Sequence, residues 1–238
     1  MRRPVLTTNT TDQAGLKHPA LLRLMQLASP ALPVGAYAYS QGLEWAVNQG
    51  WVRDEESAAD WIQGLLNHIL CRLDVPVLAR FYNAWRRQDT PAVEYWSAFL
   101  HASRESAELQ CEDQQLGRAL ARLLGELGIA EAKTWTAHPC ASFANLFAFA
   151  AVRWTISLPE TAIGYLWAWV ENQTTAAMKL IPLGQSAGQR LLSRAIEIIP
   201  AAVQQGLQIA DDEIGTFAPG LALASARHET QYTRLFRS

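Results

Sequence analysis

The spacing of apolar residues along this chain follows the turns of a helix nearly throughout. Between residues 54 and 73, apolar side chains recur at steps of three and four, which gathers them on one helix face. A second stripe of this kind runs between residues 103 and 127, opposite a charged face. Residues 142–153 are almost wholly apolar, which is typical of a central helix. Because no stretch alternates as a half-buried strand does, we predict an all-α protein.

Prolines and glycines divide this pattern into about ten helices. Two prolines make residues 29–35 a loop, because a proline disfavours helical backbone in the residue before it. The helix that follows is predicted over residues 39–48. Pro76 either begins a new helix or kinks the one before it. Pro200 is predicted to divide the last strong helical stretch, residues 186–209, into two helices.

The two ends of the chain differ from the helical domain, which we place over residues 19–210. Residues 1–18 are polar and rich in threonine, and they are predicted to form a flexible arm. Residues 211–238 begin as a linker and close with basic and aromatic side chains together. Aromatic residues commonly anchor interfaces, so we predict a partner-docking tail; an ordinary frayed terminus is the alternative. The expected fold is a single-domain bundle with an N-terminal arm and a C-terminal tail.

Composition and charge exclude several classes of protein. Half of the 238 residues are apolar and 18% are charged, against about 25% in ordinary soluble domains, which favours a packed core over disorder. The net charge of -2 excludes a dedicated nucleic-acid binder, because neutralising phosphates needs a basic surplus. Three cysteines in a chain of this length suit a reducing compartment better than a disulfide scaffold.

No segment predicts a membrane span or export from the cytoplasm. The most apolar stretch is too short to cross a bilayer, and it carries Asn145 and Arg153. The basic residues near the N-terminus have no apolar run behind them, so we expect no secretory signal and a cytoplasmic protein. Of the 20 basic residues, 17 are arginine, a side chain that favours protein contacts, although a GC-rich genome would explain the same bias.

Motifs of metal and phosphate chemistry are weak or missing in the sequence. It lacks the Gly-Lys pair of a phosphate-binding loop and the paired spacings of a zinc site. His68 and Cys71 share a helix face and would hold a soft metal weakly, but a stable site needs more ligands. The alternative is a helix-face histidine beside a core cysteine. The roles of Cys111, His138 and Cys140 are left open.

Paired carboxylates on the long predicted helix do not form a catalytic centre either. Glu108 and Glu112 share one face, which we expect to be solvated or bound to a partner. Glu112 and Asp113 are adjacent and point about 100° apart. We therefore predict a binding or scaffold protein that is not an enzyme and has no cofactor of its own.

Four stretches, in the same order along the chain, are similar to motifs of one known family. Residues 24–44, LMQLASPALPVGAYAYSQGLE, resemble the opening signature of the urease accessory protein UreF family. Residues 103–117 resemble its long central helix. Residues 179–189, KLIPLGQSAGQ, resemble a late helix junction, and residues 225–238, SARHETQYTRLFRS, resemble the family terminus.

This resemblance implies an all-helical, dimeric scaffold for nickel insertion into urease. Members of the family bind the accessory protein UreD, also called UreH, and the pair recruits the GTPase UreG. The assembly then acts on apo-urease, and UreF has been viewed as a regulator of GTP hydrolysis by UreG. No enzymatic activity, nucleic-acid binding or membrane binding is implied for the scaffold itself.

The resemblance also assigns partner-binding residues to three of the motifs. Those assigned to the side that faces UreG are Tyr37, Tyr39, Ser40, Gln41, Glu44 and Lys179. Further contacts are assigned to the late junction and the terminus, namely Gln185, Gln189, Arg227, His228, Glu229, Tyr232, Arg234 and Phe236.

Each of these assignments has a simpler structural alternative. The first motif could be a helix N-terminus packed on the proline loop, and exposure of both Tyr37 and Tyr39 would favour the partner interpretation. Lys179 could be an ordinary lysine whose stem covers apolar surface. Residues 227–238 are expected to fold on binding UreD, with Tyr232 and Phe236 as anchors and an arginine pairing with carboxylates.

Two other functions compete with the scaffold. A helical metallochaperone using His68 and Cys71 would carry tightly bound metal on the isolated protein. An interaction module for helices or membranes, without a link to urease, would bind neither UreD nor UreG. The four collinear motifs favour the scaffold over both.

Overall fold

A computed structural model describes residues 19–139, 141–216 and 218–238. These residues form ten α-helices and no strand, which confirms the all-α prediction. The arm predicted over residues 1–18 lies outside the described residues, as does Cys140.

The ten helices follow one another with short connections. Their bounds are α1 Pro19–Leu27, α2 Leu43–Asn48, α3 Glu55–Leu65, α4 Val75–Arg87, α5 Thr90–Ala102, α6 Ala107–Glu126, α7 Phe143–Arg153, α8 Leu158–Leu180, α9 Gln185–Gly206 and α10 Pro219–His228. Single 3₁₀ turns occupy Ala36–Ala38 and Asp211–Glu213, and a longer 3₁₀ segment spans Ala130–Trp135.

The helix α7 lies at the centre of the bundle. Leu146, Phe147 and Phe149 have almost no exposed surface, and its small residues are buried as well. The helices α4, α6 and α8 pack against it, and α9 packs against α8. The prediction of a central apolar helix over residues 142–153 is therefore confirmed, because a helix that is apolar all round has to be surrounded.

The second helix is shorter than predicted. It begins at Leu43 rather than at residue 39, because Gln41 and Gly42 have φ values of 54° and 77°. A left-handed backbone cannot continue a right-handed helix, and it is rare for a residue with a side chain. The loop that contains Gln41 is therefore held in place by contacts from elsewhere in the chain.

Neither interior proline breaks its helix. Residues 66–74 form a π-helical segment that joins α3 to α4, and Pro76 lies in the first turn of α4. The predicted division at Pro200 is wrong, because α9 runs through it to Gly206. An interior proline costs about 3 kcal/mol. Burial of Ile199 and Val203 on either side of Pro200 opposes that cost.

The starts of two further helices, α6 and α10, also differ from the predicted bounds. The helix α6 begins at Ala107 and not at residue 103, because the Ser106 side chain accepts a hydrogen bond from the Leu109 N–H at 3.2 Å and caps it. The linker predicted over residues 211–220 contains the start of α10. That helix packs on α2 and α6.

None of the helices in the described part of the chain combines the length and the apolar character that a membrane crossing needs.

Candidate functional site

The tail, residues 229–238, folds back onto the loop between α1 and α2. The Ser40 N–H donates to the Ser238 carbonyl at 2.9 Å, and the Arg237 N–H donates to the Ala38 carbonyl at 2.8 Å. Ser238 is fully buried. In this structure the contacts that hold the segment come from its own chain, and the expectation that it folds on binding UreD stays a prediction.

A buried carboxylate on α2 anchors the tail. Glu44 accepts hydrogen bonds from the Leu235 N–H at 2.6 Å and from the Phe236 N–H at 2.9 Å. Hydrogen bonds to an ionised acceptor are shorter and stronger than those between neutral groups. These bonds fix the backbone of the tail where the Phe236 side chain enters an apolar pocket that includes Leu43 and Ile181.

A histidine at the end of α10 joins two carboxylates beneath the tail. His228 has no exposed surface. Its Nε2 lies 3.1 Å from the Glu44 Oε2, and its Nδ1 lies 2.8 Å from the Glu108 Oε2. Arg234 of the tail completes the cluster, with its Nη1 at 2.7 Å from the Glu108 Oε1. The helices α2, α6 and α10 and the tail thus meet at four ionisable side chains.

A second carboxyl, one turn further along α6, meets the end of the tail. The Glu112 Oε1 accepts from the Gln41 Nε2 at 2.7 Å, and its Oε2 accepts from the Ser238 Oγ at 2.8 Å. Burial raises the pKa of Glu112 from 4.5 to about 7. Gln41 also accepts from the Trp169 Nε1 at 2.7 Å. These two partners explain why Gln41 is held at a positive φ.

The charged face of α6, which was expected to be solvated or bound to a partner, is covered by other parts of the same chain. Glu112 is buried and the Glu108 side chain is largely covered, because the tail and the loop before α2 lie over them. Asp113 lies deeper, where its Oδ1 accepts from the Phe143 N–H at 2.9 Å. Carboxylates spaced like those of a surface helix are therefore the attachment points of another part of the chain.

An ion-pair network lies under this face, and the sequence analysis missed its centre. The Asp74 carboxylate receives two hydrogen bonds from Arg104, at 2.6 and 3.2 Å, and one from the Tyr165 hydroxyl at 3.1 Å. Asp113 lies 3.7 Å from Arg104 on its other side. The sequence signal for this network was Asp74, a charged residue within the apolar stretch before Pro76. Such a residue is seldom buried unless it is paired with an opposite charge.

Three motifs that are distant in the sequence meet around Lys179. Its Nζ lies 5.9 Å from the centroid of the Tyr37 ring and 5.6 Å from that of the Phe236 ring. A cation at these distances is attracted by the face of an aromatic ring. The opening signature, the end of α8 and the tail thus form one continuous surface.

The two tyrosines of the opening signature differ in exposure. Tyr37 is 67% exposed, whereas Tyr39 is 6% exposed. The condition that both remain exposed is therefore not met, and only Tyr37 is accessible to a partner. Burial raises the pKa of Tyr39, and a hydrogen bond to Arg237 opposes that effect. Tyr39 supports the loop, and its carbonyl accepts from the Asn172 Nδ2 at 3.0 Å.

The aromatic residues of the tail also divide into a buried and an exposed one. Phe236 is 5% exposed and lies in its own chain, so it is not accessible as an anchor in this conformation. Tyr232 is fully exposed, and Leu235 is mostly exposed. Arg234 pairs with a carboxylate, as predicted for an arginine of this segment, but the carboxylate is Glu108 of the same chain.

The remaining predicted site residues lie on exposed surface. Gln185 and Gln189 occupy the first turns of α9, directly after Leu183, which packs against the pocket of Phe236. Arg227 is exposed near the end of α10, and the Glu229 Oε1 accepts from the Glu108 N–H at 3.4 Å.

A cavity of about 150 Å³ lies beside the loop that precedes α2. Its lining includes apolar side chains such as Leu27 and Phe143 and the polar side chains Gln41 and Glu112. The attachment of the tail and the wall of this cavity therefore share two side chains.

The two residues of the metal pair considered from the sequence differ in burial. Cys71 is buried, its Sγ lies 3.3 Å from the Ala202 carbonyl oxygen, and desolvation raises its pKa, whereas His68 is exposed. Within the described residues, no group of three or more His, Cys, Asp or Glu side chains is arranged to hold a metal ion. His138 lies 4.0 Å from Glu94 and against the ring of Trp135, and Cys111 is exposed.

These features define a class of protein. It is an all-helical bundle in which buried carboxylates fix the C-terminal segment onto the loop between α1 and α2. A model of the UreF family matches residues 52–196. A protein of Alkalilimnicola ehrlichii named urease accessory protein UreF is 54% identical over 91% of this chain and 95% of its own length. Proteins of the same name from Pseudomonas putida and Marinobacter nauticus are 51% and 47% identical, covering 92% and 98% of this chain and 98% and 100% of their own. The chain belongs to the UreF family.

The titration of Glu112 gives a test of the buried site. Because the fold raises its pKa, the folded state holds the proton more tightly than the unfolded chain. Its contribution to the free energy of unfolding is therefore complete below about pH 4.5 and is lost as the pH rises to about 7. Glu112→Gln mimics the neutral form and should gain on the order of 2 kcal/mol relative to the wild type between these limits.

The measurement is denaturant unfolding of both proteins across this pH range. Glu126→Gln, an exposed position on the same helix, is the matched control and should follow the wild type. Parallel pH profiles for the wild type and Glu112→Gln would contradict the assignment.

Proposed function

We propose that this chain is a urease maturation scaffold that binds UreD and UreG and governs the delivery of nickel by UreG to apo-urease. Membership of the UreF family, whose relatives carry the name urease accessory protein, supports a role in urease maturation. The observation that carries the finer proposal is the meeting of three partner-binding motifs around Lys179. The scaffold catalyses no reaction and carries no cofactor; it is a cytoplasmic homodimer.

The UreG side is assigned to the exposed part of this surface. Tyr37 and Lys179 are accessible, and a ring beside an ammonium group offers both an apolar and a charged contact to a partner. Ser40, Gln41 and Glu44 are buried or half-buried beneath it. Their role in this proposal is to hold the loop and the tail in position rather than to touch UreG.

The UreD side is assigned to the exposed apolar residues at the end of the chain. Leu223 of α10 and Tyr232 and Leu235 of the tail are solvent-exposed, although an ordered segment would normally bury such side chains. The anchors therefore differ from those expected from the sequence: Tyr232 remains, Leu235 is added, and Phe236 holds the tail from inside.

The proposed homodimer is supported by exposed apolar residues on α1 and α8. Leu21, Leu22 and Met25 of α1 and Ile163 of α8 are all largely exposed. A Cβ on Gly164 would lie 2.4 Å from Leu24 Cδ1, so this part of α8 lies directly under α1. Apolar residues grouped in this way are typical of protein–protein contacts.

Lys179→Ala tests the UreG side. Removing the ammonium group near the two rings should weaken the binding of UreG to the preformed complex with UreD by about tenfold. This is the loss of affinity expected when one important interface side chain is removed. The measurement is a titration of GTP-loaded UreG, with urease activation as a second readout. Lys133→Ala, an exposed lysine near Gly125 at the far end of α6, is the control. Unchanged binding and activation in Lys179→Ala would refute the assignment.

Tyr232→Ala tests the UreD side without disturbing the fold. Its side chain is fully exposed, so thermal stability should not change, while the affinity for UreD should fall by about tenfold or more if it is an anchor. Light scattering on the mixed proteins gives the size of the complex, and a titration gives the affinity. Tyr95→Ala, another exposed tyrosine, should bind as the wild type does. Full affinity of both variants would overturn this proposal.

A further inference from the structure

A cleft of about 660 Å³ opens between the C-terminal ends of α4 and α7. Its walls also include the start of α5 and the 3₁₀ segment Ala130–Trp135. Among the described residues that line it, none belongs to the surfaces assigned to UreG, to UreD or to the homodimer. Its volume lies within the range of about 300–1,000 Å³ that is usual for sites of small ligands.

Three aromatic side chains form the floor of this cleft. Trp85 of α4 packs edge to face on Trp135 and on Phe149 of α7, with ring centroids 5.5 and 4.7 Å apart. The Trp85 Nε1 donates to the Oδ1 of the buried Asn145 at 2.8 Å, which fixes the plane of the indole ring. Trp85 is only half-buried. The floor therefore presents part of a fixed indole ring, on which a flat apolar group can pack.

The rim of the cleft carries one uncompensated positive charge. Arg153 donates to the Glu131 carboxylate at 2.9 Å, and its guanidinium carbon lies 5.3 Å from the centroid of the Phe149 ring. The charges of Arg153 and Glu131 therefore compensate each other. Arg86, in the last turn of α4, is exposed and forms no ion pair with another described residue.

Two further ionisable groups near the cleft are directed elsewhere. His138 lies against the Trp135 ring, with centroids 4.4 Å apart, and its Nε2 is 4.0 Å from the Glu94 carboxylate. Asp89 accepts from the Ala92 N–H at 3.1 Å and caps α5. Neither carboxylate therefore takes the place of a partner for the arginine on the rim.

The turn between α4 and α5 shapes the rim. Gln88 adopts a φ of 57° there and lines the cleft. A positive φ is unfavourable for a residue with a side chain, and such strain is frequent at ligand sites. The Gln88 N–H donates to the Trp85 carbonyl at 3.2 Å, which ties the turn to the residue of the floor. The turn therefore keeps Arg86 and Thr90, on its two sides, at the edge of the cleft.

We propose that this cleft binds a small aromatic carboxylate, whose ring packs on Trp85 and whose carboxylate pairs with Arg86. A guanidinium presents parallel N–H donors that match the two oxygens of a carboxylate. A cation would be repelled by Arg86, and a neutral ring would gain nothing from its charge. The inference does not rest on the proposed partners, because the cleft is separate from the surfaces assigned to them.

Titration of three probes that share one ring into the full chain tests this inference. Indole-3-acetate is an anion, indole-3-acetamide is neutral and tryptamine is a cation. Tryptophan-selective ¹⁵N spectra follow the indole N–H signals of Trp85 and Trp135, and Trp51, an exposed tryptophan outside the cleft, is the internal control. Indole-3-acetate should shift the first two signals saturably, with a Kd on the order of 1 mM or below. The amide should bind about tenfold more weakly, and tryptamine more weakly still.

Two neighbouring arginines separate the proposed pairing from a general effect of charge. Arg86→Gln should lower the affinity for indole-3-acetate about tenfold and remove its advantage over the amide, because one hydrogen bond between charged groups is lost. Arg87→Gln removes the same charge from an exposed arginine that does not line the cleft, and it should bind as the wild type does. Both side chains are exposed, so neither change should alter thermal stability.

Three results with the wild type would overturn the proposal. They are the absence of a saturable shift at Trp85 and Trp135, equal affinities for indole-3-acetate and its amide, and a shift of Trp51 that matches those of the cleft. Among the variants, an equal loss of affinity in Arg86→Gln and Arg87→Gln would contradict the pairing with Arg86.

Discussion

The carboxylate of Glu44 is the interaction on which the surface of this protein depends. It lies on a helix of only six residues, yet it receives two amides of the tail and the ring of His228. Because a buried carboxylate has to be satisfied by donors, its neighbours cannot be rearranged one at a time. The position of the tail therefore determines the pocket of Phe236, and through it the surroundings of Lys179.

The periodicity of the sequence was sufficient to predict the class of fold but not how the ends of the elements are arranged. Steps of three and four residues predicted the helices because burial of one face is a local pattern. The continuity of α9 through Pro200 depends on the packing of Ile199 and Val203, which no local pattern contains. The positive φ of Gln41 depends on Glu112 and Trp169, which lie 71 and 128 residues away.

The contacts among the candidate site residues were not predicted from the sequence, and their role in binding partners stays a prediction. Resemblance to a family selected Glu44, Lys179 and Phe236, but not their contacts with one another. The carboxylates of α6 were expected to be solvated or bound to a partner, because a charged stripe on a helix usually lies on the surface. A terminus that is both basic and aromatic is typical of a segment that docks onto a partner protein. When carboxylates and such a terminus occur in the same chain, they can satisfy each other, and here they do so through Glu108 and Arg234.

The most direct test of this account is a distance measurement between spin labels at Thr233 of the tail and Gln189 of α9, in the isolated full chain. Both positions are exposed, and Cys111, which is also exposed, is replaced by serine for the purpose. The account predicts one narrow distance distribution in the absence of any partner, and a broad one when Glu44→Gln removes the anchor. A broad distribution in the chain that retains Glu44 would contradict it.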